Sequence, residues 1–458
     1  MKKLIYLLLF LAPAFGFAQQ EGTFYFMNTV SQSAAYNPAF TPKYTTTVGL
    51  PAISSLYGMF SNSGFAYSDL IQRREDDSLV MTLDNFYNAL KDRNYTQTQF
   101  NVDIFHLAFR LNPRMYFSLN IAEKNISRTT YSKDIADLLI NGNAQFAGME
   151  KVATFEVDGT SYLEMGAGLN YKINEMIAAG ARLKYLRGLV NGYTERANLT
   201  IRTEENYHIN ITGDALVHTG GATEEDIDNF SEFWELANNN GFAVDLGVTY
   251  KPIDRLTLGL SLTDLGGIKW KNGLKSYSLD PAVANFTFKG IDIARAIEDD
   301  ASIDDELDSL EENFEFIENE GVAYRTAVPS RLFLSGSYEL ARQLYASLLI
   351  SGVKYKNDID MAFTANVTKN VGKALSVCVS YTANKYSLNN WGAGFAINLA
   401  PFQIYAASDN LLGAAVSTAF NGEINPFINN MQHFNFRFGI NFIGAWEKTV
   451  EKLSDDTF

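Results

Sequence analysis

Four histidines and one cysteine are the residues of this sequence best suited to metal binding or nucleophilic chemistry. The histidines are His106, His208, His218 and His433, and no two of them have the spacing of an H-E-x-x-H or H-x-x-x-H zinc motif. Cys378 is the only cysteine, so a disulfide within the chain and a cysteine-based zinc site are excluded. We therefore predict no metal site and no cofactor.

Serine-based catalysis lacks its usual sequence signal as well, because no G-x-S-x-G motif is present. A Ser-His-Asn constellation of the type that outer-membrane phospholipases use would need His106 or His433, which fall in predicted strands. A polar residue facing the interior is the simpler interpretation of either histidine. Gly166-x-Gly168 and Gly392-x-Gly394 lack the third glycine of a dinucleotide loop and indicate small inward-facing residues. We predict that the protein is not an enzyme.

The charge of the chain is acidic and uneven. The sequence has 37 Lys+Arg against 52 Asp+Glu, a formal net charge of −15, which argues against nucleic acid as a partner. Residues 291–320 hold 13 acidic residues and a single basic one, Arg295. Calcium binding would need an EF-hand spacing that is absent. The apolar residues of this region have a helical period instead, so we predict a solvated acidic helix. They are Ile303, Leu307, Leu310, Phe314 and Ile317.

The first residues have the order of an export signal. Met1-Lys2-Lys3 is followed by an apolar run from Leu4 to Leu11 and by Gly16-Phe17-Ala18, with small residues at −3 and −1 of a cleavage point. Residues 1–18 are therefore predicted to be a signal peptide, because the apolar run is too short for an anchor that spans a membrane. No cysteine follows the cleavage point, so the protein is not a lipoprotein.

The dominant hydrophobic period of the remaining chain is two. Apolar residues alternate with polar or small ones over 163–173, 242–250, 256–262 and 434–442. Such runs last about 9–13 residues, the length that a tilted strand needs to cross hydrocarbon. Fourteen strands are predicted, at 44–56, 99–111, 114–126, 160–174, 176–190, 241–251, 255–265, 330–340, 343–355, 359–369, 373–384, 390–399, 402–410 and 432–443.

The connections between these strands alternate in length, with turns of a few residues on one side and mostly long loops on the other. Periplasmic turns and extracellular loops of outer-membrane barrels have this asymmetry. The sequence therefore predicts an all-β protein, a transmembrane antiparallel β-barrel of about 14 strands that spans 44–443, with a periplasmic tail at 444–458. The long loops are predicted at 57–98, 127–159, 191–240, 266–329 and 411–431.

In such a barrel the apolar faces meet lipid and the polar faces meet the lumen. The charged side chains predicted to face the lumen are Glu164, Lys172, Arg182, Lys184, Asp245 and Arg437. The aromatic residues predicted for the girdles at the membrane interfaces are Tyr171, Tyr185, Tyr250, Tyr355 and Tyr381, with ordinary cross-strand packing as the alternative.

Helical patterns occur within the long loops. Helix starts are predicted at Thr82, Ser132 and Thr223, each followed by apolar residues three or four apart. The apolar faces of these helices could bind a protein partner, but packing on the barrel's own loops is the interpretation that we favour.

Residues 19–43 precede the wall and are too many for a simple lead-in. They contain Tyr36, Asn37, Pro38, Ala39 and Phe40, which we identify as the candidate hatch inside the lumen. A disordered periplasmic tail is the alternative, and the two aromatic residues weigh against it.

Three motifs carry a resemblance to a known family. They are Asn37-Pro38-Ala39-Phe40, the run from Gly49 to Ser55, and the run from Asn62 to Ile71. With Tyr250-Lys251-Pro252 and Asp264-Leu265-Gly266, they resemble an uncharacterised family of Bacteroidota outer-membrane proteins. That family lies within the fatty-acid-transporter-like (FadL/PorV-like) barrels, a group that includes the PorV shuttle subunit of the type IX secretion system. The resemblance implies a fourteen-stranded barrel with an N-terminal segment in the lumen.

The resemblance leaves two functions open, because members of this group divide between lipophile uptake and secretion. The first is a transporter or channel of the bacterial outer membrane for a hydrophobic or small amphipathic solute. Its partners would be outer-membrane lipid and a lipophilic ligand. The second is a non-transporting scaffold or secretion-system partner that binds a protein through the loop region 266–329.

Overall fold

The structure is a computed structural model. It describes residues 21–65, 67–73, 78–142, 144–206, 208–222, 230–288, 314–356, 358–384, 390–410 and 432–445. The predicted signal peptide, residues 1–18, lies outside the described residues, and so does the predicted tail after residue 445.

Fourteen antiparallel strands form a closed transmembrane barrel. Each strand pairs with the next along the chain, and the last closes the wall by pairing with the first, where Val48 lies opposite Phe442. We number the wall strands β1 (in two segments, Thr46–Gly49 and Leu56–Asn62), β2 Arg93–Asn112, β3 Met115–Ser132, β4 Met149–Lys172, β5 Ile177–Thr203, β6 Asn239–Ile253, β7 Leu256–Trp270, β8 Ser330–Ala341, β9 Leu344–Tyr355, β10 Asp358–Val371, β11 Leu375–Asn384, β12 Asn390–Leu399, β13 Phe402–Ser408 and β14 His433–Ile443. The fourteen predicted strands and their order are confirmed.

The exposure of side chains in the wall is the reverse of that in a soluble protein. Leu183 of β5 is 67% exposed, while its neighbours Arg182 and Lys184 are buried. The same alternation runs through the other strands, with Leu, Val, Ile and Phe outside and Ser, Thr, Asn and charged residues inside. An outer surface of this kind is stable only against lipid, because large exposed apolar patches are rare on soluble monomers.

Several strands continue well beyond the predicted membrane-crossing length. β4 has 24 residues and β5 has 27, so parts of the predicted loops 127–159 and 191–240 are paired strand. These extensions were missed because both faces of a sheet above the membrane meet water, which removes the alternation of apolar residues. Shorter strands add to the sheet at Ile209–Gly221, Lys275–Leu279, Asn285–Phe288, Ile317–Glu320 and Tyr324–Ala327, and Ile71–Arg73 pairs with Leu79–Met81.

The predicted first strand is interrupted. Residues 50–55 leave the wall as a turn in which Ile53 N donates to the Leu50 carbonyl, 3.2 Å away. Ile440 N then donates to the Ile53 carbonyl at 3.0 Å, so β14 keeps a hydrogen-bond partner across the interruption. β2 has a bulge between Asp103 and Phe105. An extra residue at a bulge shifts the inside–outside alternation, which brings both Asp103 and His106 to the lumenal side.

The helices are short. They are α1 Gly22–Tyr25, α2 Tyr67–Leu70, α3 Leu83–Ala89, α4 Lys133–Asn141 and α5 Phe230–Leu236, with 3-10 turns at Ser31–Ala35 and Ala144–Phe146. The starts predicted at Thr82 and Ser132 are confirmed, and α4 ends at Gly142, whose φ of 69° suits glycine. No helix in the described part of the chain is long and apolar enough to cross a membrane.

Two loop predictions have a different outcome. The helix start predicted at Thr223 lies outside the described residues, although α5 continues that pattern. For the predicted acidic helix, Ile303, Leu307 and Leu310 lie outside the described residues as well. At its end the prediction is wrong, because Ile317–Glu320 is a strand that pairs with Lys275–Leu279. Strand pairing across the loop overrides the helical spacing of apolar residues there.

Candidate functional site

The N-terminal segment, residues 21–45, lies inside the barrel. It begins at mid-depth with α1, passes through the 3-10 turn, and leaves at the short-turn end, where Thr45 N donates to the Ala445 carbonyl at 2.8 Å. One apolar cluster joins it to the wall. Its members are Phe24, Tyr25, Phe26, Met27, Val30 and Tyr36 from the segment, with Phe333, Leu349, Cys378, Ala396, Tyr405 and Ala407 from the wall.

Polar anchors hold the beginning of this segment. Arg437 of β14 donates to Glu21 through Nε at 2.6 Å and through Nη2 at 3.0 Å, and the Tyr36 hydroxyl donates to the same carboxylate. The Arg437 guanidinium also lies 5.0 Å from the centroid of the Phe24 ring. Thr23 N donates to Asp409 Oδ1 at 2.8 Å. These hydrogen bonds are charge-assisted and buried, and such bonds are stronger than hydrogen bonds between neutral groups.

The candidate hatch residues lie at the other end of the segment. Ser261 of β7 donates its hydroxyl to the Tyr36 carbonyl at 2.6 Å, and Asn170 of β4 donates to the Pro38 carbonyl at 3.3 Å. Asn37 is fully buried, and its Oδ1 accepts from Ala39 N at 2.9 Å. Phe40 packs its ring 5.1 Å from that of Tyr25 (centroid to centroid). All five residues therefore contact the wall or the segment itself.

Glycines in the wall make room for the segment. A Cβ on Gly180 of β5 would lie 2.0 Å from the Pro38 carbonyl oxygen, and one on Gly247 of β6 would lie 2.2 Å from Asn37 Oδ1. Gly392 and Gly394, predicted to be small inward-facing residues, face Thr23 and Met27 in the same way. These close approaches explain why glycine is needed at these positions.

Gly180→Ala should displace the segment around Pro38, because the added methyl group collides with backbone that cannot rotate away. We expect faster proteolysis within residues 30–45 of the folded protein in detergent. Gly336→Ala is the matched control, since its Cβ would meet nothing nearer than 3.6 Å. Equal cleavage rates in both variants would contradict the tight fit.

A network of charged side chains crosses the lumen beside the segment. Its centre is Lys184 of β5, whose Nζ lies 2.8 Å from Asp245, 2.7 Å from Asp264 and 3.6 Å from Glu164. Arg182 contacts Asp245 at 3.3 Å and Glu164 at 3.4 Å. Asp264 also lies 3.9 Å from Lys124 Nζ. Each carboxylate thus lies near at least two cations, which compensates for the loss of water around buried charges.

A cavity of about 590 Å³ opens at the long-loop end of the barrel, within the size range of small-molecule sites. We call it the vestibule. Its lining combines aromatic, apolar and charged side chains. The rings are those of Tyr162, Tyr193 and Tyr355, and the apolar residues include Ile126 and Val328. The charged residues are Arg93, Glu156, Asp158, Glu195, Arg325, Lys354 and Lys356.

Two smaller cavities lie between the vestibule and the segment, and the first of them shares Ile126, Pro329 and Tyr355 with the lining of the vestibule. One of about 40 Å³ is lined by Glu21, Tyr57 and Tyr355 among others. The next, of about 70 Å³, lies within the charged network and against the 3-10 turn of the segment. Arg331 of β8 lines both of these small cavities. The three cavities therefore follow one another along the lumen, and the last of them lies against the N-terminal segment.

The remaining sequence-predicted residues have mixed outcomes. His106 forms a hydrogen bond with Ser31 of the segment at 2.6 Å through Nε2, while neither ring nitrogen of His433 has a hydrogen-bond partner among the described residues. His218 also lies in a strand, Ile209–Gly221, contrary to prediction. No group of three His, Cys, Asp or Glu residues in the described ranges is placed to hold a metal ion. Cys378 is buried against the Thr23 carbonyl.

Two predicted orientations need correction. Lys172 pairs with Glu175 at 2.8 Å on the short-turn rim, with its side chain 39% exposed, rather than projecting into the lumen. Tyr355 lines the vestibule and lies 4.9 Å below the Arg128 guanidinium, so it does not belong to a membrane girdle. Both residues are near strand ends, where alternation alone does not locate a side chain along the barrel axis.

Four of the charged residues that line the 70 Å³ cavity were not predicted from the sequence. Lys124, Asp264 and Arg331 lie at inward positions of β3, β7 and β8, and Asp103 lies at the bulge of β2. If the alternation of apolar and polar residues is extended along β3 and β8, it places Lys124 and Arg331 on the lumenal face. For Asp103 the two halves of β2 disagree, because the bulge changes the phase of the strand: alternation from Phe100 and Ile104 places it inside, and alternation from Leu107 and Phe109 places it outside.

Comparisons with known proteins give the following relatives. The crystal structure of a Pseudomonas aeruginosa FadL homologue is 12% identical, with 93% of this chain and 99% of that chain covered and a TM-score of 0.39. A TodX monoaromatic hydrocarbon channel lacking S2 and S3 is 8% identical, with 91% and 95% covered and a TM-score of 0.44. The Ralstonia pickettii toluene transporter TbuX is 8% identical, with 91% and 94% covered and a TM-score of 0.33.

No curated protein matches the sequence. One family model does match, over residues 38–409, and this match includes most of the wall together with the end of the N-terminal segment. The chain therefore belongs to the family of unknown function DUF5723.

Proposed function

We propose that the protein is a transporter or channel of the bacterial outer membrane for a small amphipathic solute, and that the N-terminal segment acts as its hatch. The observation that carries the proposal is the path of cavities. A vestibule of about 590 Å³ leads to two smaller cavities, and residues 21–45 close the lumen beyond them. In this proposal, Tyr36, Asn37, Pro38, Ala39 and Phe40 form the lower part of the hatch.

The lining of the path favours an amphipathic solute over a purely hydrophobic one. In the vestibule, Lys356 contacts Asp158 at 2.6 Å and Arg93 contacts Glu156 at 3.4 Å, so charged pairs lie beside tyrosine rings. A hydrocarbon would cover these groups without hydrogen-bonding them, which is unfavourable. A solute with a polar group and an apolar body can satisfy both kinds of lining.

The alternative is the scaffold role, in which the loops bind a protein partner. Its support is the exposed strand Ile317–Glu320, which pairs with Lys275–Leu279 on one side and has no other strand neighbour among the described residues. An exposed strand edge can accept a strand from another protein. This role would not require the path of cavities.

Solute influx into liposomes tests the transporter. The whole protein is compared with a variant that lacks residues 21–40, using labelled benzoate, phenethylamine and phenylalanine as amphipathic probes and dextran as the retained marker. We expect slow influx of at least one probe through the whole protein. The deletion should increase influx by tenfold or more, because the segment fills the lumen.

Heat-modifiable migration in gel electrophoresis is the control for a folded barrel in both samples. If a folded barrel admits none of the probes, with or without the segment, the transporter proposal is wrong and the scaffold role is favoured.

A further inference from the structure

Two charged side chains that face the 70 Å³ cavity make no hydrogen bond through their charged groups to any described residue. Arg331 makes no hydrogen bond there; its Nε is buried without one, and its nearest acidic atom is Asp264 Oδ2 at 4.0 Å, the outer limit of an ion pair. The hydrogen bonds of Asp103 to other described residues are made by its backbone, with Ser54 and Ser55, and its carboxylate faces the cavity without a hydrogen bond or an ion pair among those residues. A cation and an anion are therefore both available in one small polar cavity.

The neighbouring charges are already engaged. Lys124 contacts Glu164 at 2.5 Å, and Lys184 contacts both Asp245 and Asp264 within 2.8 Å. A ligand could compete for these groups only by breaking buried ion pairs, which is costly. Arg331 and Asp103 are thus the charged groups of the cavity that a ligand can bind without displacing another protein group.

We infer that this cavity binds a zwitterionic group, with the carboxylate of the ligand on Arg331 and its ammonium on Asp103. A guanidinium offers paired N–H donors that match a carboxylate, and a carboxylate accepts from an ammonium. The inference rests on the proposed function and narrows its solute class: the polar part of the solute is an ammonium beside a carboxylate, as in an amino acid.

The size and position of the cavity agree with this assignment. About 70 Å³ holds a few water molecules or a group as small as the backbone of an amino acid. Ser31, Gln32 and Tyr36 of the N-terminal segment complete the lining. A bound zwitterion would therefore lie directly against the hatch, while Arg331 also faces the cavity on the side of the vestibule.

Binding of glycine to the whole protein in detergent tests the site. Glycine is the smallest molecule that carries both charges, and acetate and methylammonium each carry one of them. Binding is followed by titration calorimetry and by the shift in thermal unfolding. We expect glycine to bind more tightly than either acetate or methylammonium by about 30-fold or more, because each of them leaves one buried charge unpaired.

Variants assign the roles of the two residues. Arg331→Met should weaken glycine binding about 30-fold or more, and Asp103→Asn should leave glycine no tighter than acetate. Arg342→Met is the matched control, since Arg342 lies exposed in the turn between β8 and β9 and should leave binding unchanged. The folded state of each variant is checked by heat-modifiable migration.

The outcomes separate this inference from the proposed function. Influx of benzoate or phenethylamine without glycine binding would overturn the zwitterion site and leave the transporter intact. Acetate binding as tight as glycine would overturn the role of Asp103 and with it the inference. Glycine binding that disappears in Arg331→Met and persists in Arg342→Met supports it, even if influx is never observed.

Discussion

Arg437→Met should open the lumen. Arg437 is the main anchor of the N-terminal segment, because it donates two hydrogen bonds to Glu21 and a third to the Tyr36 hydroxyl at 3.1 Å. Removing one partner of a buried ion pair costs about 3–5 kcal/mol, since the other charge is left buried and alone. That energy corresponds to a shift of about two to three and a half orders of magnitude in the equilibrium between the seated and the released segment.

Single-channel conductance in planar bilayers measures the result. We expect the native protein to be closed for most of the record and the Arg437→Met variant to show frequent open events. Glu21→Gln should have a similar effect, because it removes the other half of the same ion pair. Arg114→Met, in the exposed turn between β2 and β3, is the matched control and should remain closed. A closed Arg437→Met channel would mean that the segment is held by its apolar contacts.

The wall could be predicted from the sequence because the same physical constraint acts on each of its strands. Lipid on one side and a polar lumen on the other impose the same alternation on every strand, and both outer and inner residues follow it, as Leu183 and Lys184 show. Short turns then order the strands without further information. The features that escaped prediction are those that interrupt the pattern: the turn at residues 50–55, the bulge at Asp103 and the strand extensions above the membrane.

The sequence predicted several of the residues that lie in the lumen, but it did not predict the contacts between them. The sequence indicated that Glu164, Arg182 and Asp245 face inward, and that residues 19–43 fill the interior. It could not indicate which charges meet, because the register between neighbouring strands decides which residues lie opposite each other. The partnership of Glu21 with Arg437 joins residues 416 positions apart, and no local pattern carries such information.

Lys184→Met should destabilise the barrel more than any other single change in the charged network. Its ammonium contacts the carboxylates of Asp245, Asp264 and Glu164, and its side chain is only 1% exposed. The methionine keeps the volume but leaves three acids with too few cations in a site that water reaches poorly. We expect a loss of about 3–5 kcal/mol in the free energy of unfolding.

Urea unfolding in detergent, followed by tryptophan fluorescence, measures this loss. Asp245→Asn in the same chain should restore much of the stability, because it removes one surplus negative charge and the amide oxygen can still accept from Asp264 N. Lys369→Met is the matched control, an exposed lysine of β10 whose removal should change stability by less than about 0.5 kcal/mol. Recovery in the double variant would show that the cost of Lys184→Met lies in charge imbalance rather than in packing. If the Lys184→Met protein is as stable as the native one, the expectation is wrong. Water would then enter the lumen freely enough to screen the acidic side chains, and the N-terminal segment would not seal the lumen completely.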